Sequence, residues 1–153
     1  MKIGKNISTT LIDYINKTNI HGNITTVILD GDVFYHQTTC DNAKNIISSN
    51  FISTIHQGQA RYTHGVYFLN HPNGKYGECT LSADIFGKFI DFTHDDLGDR
   101  WFEFRDSFTW DNYEDLTIKI REAYKDIDGL LFDNLLVVWY PEKSIRNIKK
   151  YNT

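Results

Sequence analysis

Phe34-Tyr35-His36-Gln37-Thr38 ends an apolar run and leads into a helix-like segment, so a histidine and a hydroxyl group stand where a strand gives out. An imidazole there can donate or accept a hydrogen bond near neutral pH, and a threonine hydroxyl can do both at once. Further along, Gly65-Val66-Tyr67-Phe68 sets an aromatic within a second short apolar strand, and Tyr76 follows beside Gly74 and Gly77. Other signatures of chemistry are missing: there is no Gly-rich phosphate loop, no Gly-x-Ser-x-Gly and no His-Glu-x-x-His. The histidines and cysteines do not fall at zinc spacings, so no metal is expected. Each residue alone has an ordinary explanation, since strands commonly contain tyrosine and packed histidines. The ordered set carries the signal.

The elements that would position these residues can be read from periodicity. Ile7, Leu11, Ile12 and Ile15 fall on one helical face, which predicts an N-terminal helix within residues 1–20. Residues 25–38 read as a β segment with a turn at Asp30-Gly31. Asp41 is the expected N-cap of a helix that sends Ala43, Ile46 and Ile47 to a core. Phe51 to Thr54 reads as a short strand, a turn is expected at Pro72-Asn73-Gly74, and residues 78–92 form a longer β stretch. Residues 94–111 are partly helical, and Leu116, Ile120, Ala123 and Tyr124 mark the clearest helix. The last segment reads as three strands broken at Asp133-Asn134 and Pro141-Glu142. Strands and helices segregate, which argues for α+β with a mostly antiparallel or mixed sheet.

Bulk properties narrow the function. Hydrophobic residues make up 41% of the chain and aromatics 14%, with two prolines, as in a globular protein of one domain spanning 1–153. A net charge of −4 argues against binding nucleic acid by blanket phosphate neutralisation. The basic strip of Lys143, Arg146, Lys149 and Lys150 reads as a solvated terminal strand. Cys40 and Cys79 could pair, but their spacing suggests no disulfide framework. With no signal-peptide run and no stretch of transmembrane length, the expected location is the cytoplasm, without a membrane partner. Richness in Asn, Ile and Lys suggests an AT-rich genome, and a viral source would make that the host's cytoplasm.

His36-Gln37-Thr38, then a helix, then Gly65-Val66-Tyr67-Phe68 resembles the ADP-ribosyltransferase fold, in the branch of the poly(ADP-ribose) polymerases with their His-Tyr-Glu pattern. Asp128-Gly129, Val137-Val138, Pro141 and Ile145 match that family's last segment, so the resemblance covers about residues 30 to 150. It implies an α+β domain with a split, mostly antiparallel or mixed sheet and flanking helices. It also implies that NAD is the substrate, and that a protein or nucleic acid accepts the ADP-ribose. By the same resemblance, His36 bonds a ribose hydroxyl, the backbone of Gln37 grips the nicotinamide amide, and Tyr67 and Tyr76 sandwich the ring, with Thr38 and Gly65 beside them. Gln37 replaces a glycine, so its side chain is expected to point away from nicotinamide. The catalytic glutamate's register falls on Leu135; Asn134 faces the other way in a strand, and Asp133 lies further along. Family members without that glutamate are typically mono-ADP-ribosyltransferases or inactive binders. The expected function is therefore mono-ADP-ribosyl transfer, with a non-catalytic NAD, ADP-ribose or partner-binding module as its rival. An RNA 2′-phosphotransferase shares the fold but needs more arginines than Arg61 near the motifs.

Overall fold

Leu29 and Phe34 are five residues apart, so an unbroken strand would send them to opposite faces. In the computed structural model, which describes residues 25–52, 61–72, 77–95 and 97–151, both are buried on one side. The reason is a bulge in β1 (Thr26–Thr38): its pairing with β3 (Cys79–Asp91) shifts between Asp30 and Asp32. The extra residue restores the alternation. The turn expected at Asp30-Gly31 is thus a bulge within one long strand, because both flanks pair with the same neighbour.

The remaining strands are β2 (Val66–Leu69), β4 (Gly129–Leu131), β5 (Leu135–Val138) and β6 (Ile145–Lys150). They lie in the order β1-β2-β5-β4-β3-β6, and pairing of β1 with β3 closes the first five into a barrel. The pairs are antiparallel except β3 with β4, which run parallel. The α+β class is as expected. The expected split is replaced by one continuous sheet, because the long β1–β3 ladder joins its two ends.

Two apolar layers follow from strand alternation. Leu29, Phe34, Phe68, Ile85 and Val138 point into the barrel. Residues of the other parity, such as Ile90, Leu130 and Val137, meet helices α2 (Asp99–Asp106) and α3 (Tyr113–Ala123) through Trp101, Phe104, Leu116 and Ile120. Helix α1 (Cys40–Ser49) follows β1, and the one-turn α4 (Pro141–Ser144) opens with Pro141 where a strand break was expected. Arg146, Lys149 and Lys150 are exposed on β6, whose outer edge is unpaired among the described residues.

Several expectations change. Thr39, not Asp41, caps α1, its hydroxyl accepting from the Asn42 N–H at 3.2 Å; Asp41 lies in the first turn, where its charge still suits the helix dipole. Ala43 is buried, but Ile47 is exposed because it lies on the outer side of α1. Cys40 and Cys79 are joined, with Cα atoms 5.1 Å apart, because Cys79 pairs with Thr38 across the ladder. Phe51 and Ile52 are irregular, and no strand follows within the described residues. The N-terminal helix and the loop at 73–76 lie outside those residues. No helix of the described residues is long and apolar enough to cross a membrane.

Asp128, only 3% exposed, fastens the parallel pair. Its carboxylate accepts from the Lys88 N–H at 2.9 Å and from Lys143 Nζ at 2.6 Å. The Lys143 side chain is 61% exposed, so the pair is screened on one side. The backbone bond is part-buried, has no mobile side chain on its donor side and is the stronger constraint. Asp128→Ala should cost about 1.5–3 kcal/mol in urea unfolding, and Lys143→Met under about 1 kcal/mol. Equal losses would show that the ion pair, not the Lys88 amide, is what Asp128 is there to hold.

Candidate functional site

β1 and β2 share one paired position among the described residues, Tyr35 with Leu69. One residue on, the His36 side chain replaces the ladder: Nδ1 lies 2.8 Å from the Tyr67 carbonyl oxygen. A carbonyl can only accept, so Nδ1 carries the proton. Burial lowers the His36 pKa below the ordinary 6.5, and the Tyr67 carbonyl opposes that only in part. The ring is therefore neutral at pH 7, and in this tautomer Nε2 carries the lone pair that can accept a hydrogen bond. The ring packs against Phe68 at a tilt of 57°, the centroids 5.6 Å apart.

His36 heads an open cavity of about 510 Å³ between the end of β1, helix α1 and Phe51-Ile52. Gln37 and Thr38 line it from the strand, Thr39 from the junction, and Asn42, Asn45 and Ser49 from the helix. These three helical positions recur at i, i+3 and i+7 and so share one face. Thr38 Oγ1 accepts from Asn42 Nδ2 at 3.4 Å, which ties the helix to the strand. Gln37 is nearly buried, and its Nε2 donates to Thr80 Oγ1 at 3.4 Å, on β3. Phe51 contributes a 44% exposed ring at the rim. Periodicity of polar residues could have flagged the inner face of α1; sequence reading followed only its apolar positions.

Tyr67 points elsewhere. Its ring packs with the outer aromatic layer, its hydroxyl donates to the Thr63 carbonyl at 2.6 Å, and it accepts from the Tyr62 N–H at 3.1 Å. Burial, the leading cause, raises its pKa. Those bonds hold a strained entry to β2. Thr63 has φ of +80°, rare for a β-branched residue, and its Oγ1 accepts from Trp139 Nε1 at 2.9 Å. Gly65 is needed next, since a Cβ there would come within 2.6 Å of the Val138 carbonyl oxygen. Leu135 pairs with Leu69 on β2 and packs against the same outer layer as Tyr67. Asp133 is exposed and accepts from the His94 N–H at 2.8 Å, and Asn134 is exposed.

The topology thus carries the three expected motifs on adjacent strands, β1, β2 and β5, while only His36, Gln37 and Thr38 line the cavity. Gly65, Tyr67 and Leu135 do not line it, and Tyr76 lies outside the described residues. Arg61 is exposed, and no arginine lines the cavity among the described residues. No group of three or more His, Cys, Asp or Glu side chains that could hold a metal occurs among them. The chain matches no protein-family model, no curated protein and no solved structure.

The lowered His36 pKa has a defined consequence for stability. The unfolded chain takes up the proton first as pH falls, so this contribution is complete above about pH 6.5 and is lost as pH drops through the folded pKa. Urea midpoints measured from about pH 8 to about pH 4.5 should fall more steeply for the natural protein than for His36→Gln. Parallel curves would mean that the ring is solvated. Tyr67→Phe removes a buried donor and leaves Thr63 O and Tyr62 N without it; a loss of about 1–3 kcal/mol in the same assay is expected.

Proposed function

We propose that the chain binds NAD with its adenosine-side ribose at the His36 cavity and transfers a single ADP-ribose to a protein or nucleic-acid acceptor. The observation that carries this reading is the fixed tautomer of His36. Nδ1–H is committed to the Tyr67 carbonyl, which leaves Nε2 of the neutral ring as its acceptor, and His36 is among the residues that line the cavity. A ribose presents such donors. The order of motifs along the chain and their adjacency in the sheet support it further.

In the reaction the glycosidic bond from ribose C1′ to nicotinamide breaks, nicotinamide leaves with the electron pair, and an acceptor nucleophile bonds C1′. The transition state resembles an oxocarbenium ion and needs negative charge close by. Leu135 supplies none, so an acceptor's own carboxylate would have to. The Tyr67 hydroxyl, already bonded on both sides, acts as a positioning group for the chain entering β2. Joined cysteines suit an oxidising compartment better than the cytoplasm, so the acceptor is sought there.

The second reading, a binder without catalysis, is favoured by the packing of Leu135 against aromatic neighbours. Incubation with labelled NAD, with and without lysate, separates the two. Transfer of label to lysate components supports the first reading; binding without transfer or hydrolysis supports the second. No rise in melting temperature at millimolar NAD removes both. Leu135→Glu should raise NAD hydrolysis on the order of a hundredfold if that position faces the reacting ribose. Its cost is burial of a carboxylate, which raises its pKa and lowers stability. A folded, NAD-binding Leu135→Glu with unchanged turnover would place the missing charge elsewhere.

A further inference from the structure

Helix α1 has ten residues, a length at which an isolated helix is marginal in water, so it depends on anchors to the rest of the fold. Its apolar anchorage is slight: Ala43 is its one buried side chain, Ile46 is half-buried and Ile47 is exposed. Yet its inner face supplies Asn42, Asn45 and Ser49 to the cavity. Its first turn is held by the Thr39 cap and the Asn42–Thr38 bond, both exposed, and by one covalent cross-link. Cys40, the first residue of the helix, is bonded to Cys79, the first residue of β3, 39 positions away. β3 is the most heavily paired strand of the barrel, bonded to β1, β4 and β6. Both cysteines are partly exposed, so a small thiol can reach them.

We infer that the Cys40–Cys79 bond is a redox latch that holds α1 in place at the His36 cavity. A dithiol reductant opens it by thiol–disulfide exchange. One thiolate attacks a sulfur to form a mixed disulfide, and the second displaces it. The reductant leaves as a disulfide, and Cys40 and Cys79 are left as thiols. The barrel is closed by its own ladders and apolar interior and stays folded. The helix keeps its peptide link to β1 but loses the cross-link to β3, and it is docked only part of the time, which weakens ligand binding by the fraction docked. The inference rests on the proposed NAD reading only for the ligand used in one arm of its test.

Hydrogen exchange of the whole chain, with and without dithiothreitol, reads the latch directly. Reduction should lower protection of the α1 amides by about tenfold or more while β3 and β5 amides are unchanged. NAD affinity should fall in proportion to the fraction of molecules in which α1 stays docked, a fraction that the same exchange data supply. The double variant Cys40→Ser/Cys79→Ser should match the reduced protein in either buffer and ignore dithiothreitol. Unchanged α1 protection on reduction overturns the inference. So does a rise in exchange throughout the molecule, which would make the bond a staple of the whole fold. A loosened α1 in a protein that binds no NAD in either state upholds the latch and rejects the NAD reading.

Discussion

Asp128 ties three strands of the barrel together at one point. Its backbone N–H donates to the Lys88 carbonyl at 2.7 Å, its carboxylate accepts from the Lys88 N–H, and its own carbonyl accepts from the Trp139 N–H at 2.9 Å. One residue thereby joins β3 to the start of β4 and the end of β5. Such closeness demands Gly87 opposite: with φ of +143°, a Cβ there would lie 2.6 Å from the Asp128 carboxylate. A buried carboxylate is costly unless hydrogen-bonded, and here an amide and an ammonium both serve it. The Asp-Gly pair singled out from sequence as a family-like motif therefore has a structural job independent of any ligand.

From Asp128 a chain of bonds leads to the cavity. Trp139, placed by the Asp128 carbonyl, donates its indole N–H to Thr63 Oγ1; the Thr63 carbonyl accepts from the Tyr67 hydroxyl; the Tyr67 carbonyl accepts from His36. Each link is a directional bond in a buried or half-buried setting, where an unpaired partner would be costly. The imidazole is oriented by the end of this chain rather than by contacts around the ring alone. Thr63 keeps its left-handed backbone because three bonds at the entry to β2 leave it little choice: its own two, and the Tyr62 N–H held by Tyr67.

The α+β class, the long β3, α3 and the breaks near residues 133 and 141 were legible because each has a local cause: alternation, a helical apolar stripe, or turn residues. Closure of the barrel was not. It depends on pairing between β1 and β3, some fifty residues apart in sequence, and no local pattern encodes such a partner. The bulge was misread as a turn because Asp-Gly serves either purpose. The cysteine pair was left open because spacing says nothing once a ladder brings Thr38 beside Cys79. At the site, the His36-Gln37-Thr38 stretch was legible from polar residues at a strand end, whereas the polar face of α1 stayed hidden behind its apolar positions.

The cavity and the outer layer divide the chemistry between them. Lining residues such as His36, Thr38, Asn42 and Ser49 offer hydroxyls, amides and a neutral imidazole, and no charged side chain lines the cavity among the described residues. Such a surface can meet a hydroxyl or an amide with short directional bonds, and it holds no charge to pair with an anion. Leu135 lies in the opposite kind of place, against an aromatic layer that includes Phe92, Trp101 and Phe132. A carboxylate at this half-buried position would be partly desolvated, so leucine there favours the stability of the outer layer. Recognition and packing are thus compatible in this sequence. A carboxylate in place of Leu135 is what the arrangement of layers would make costly to keep.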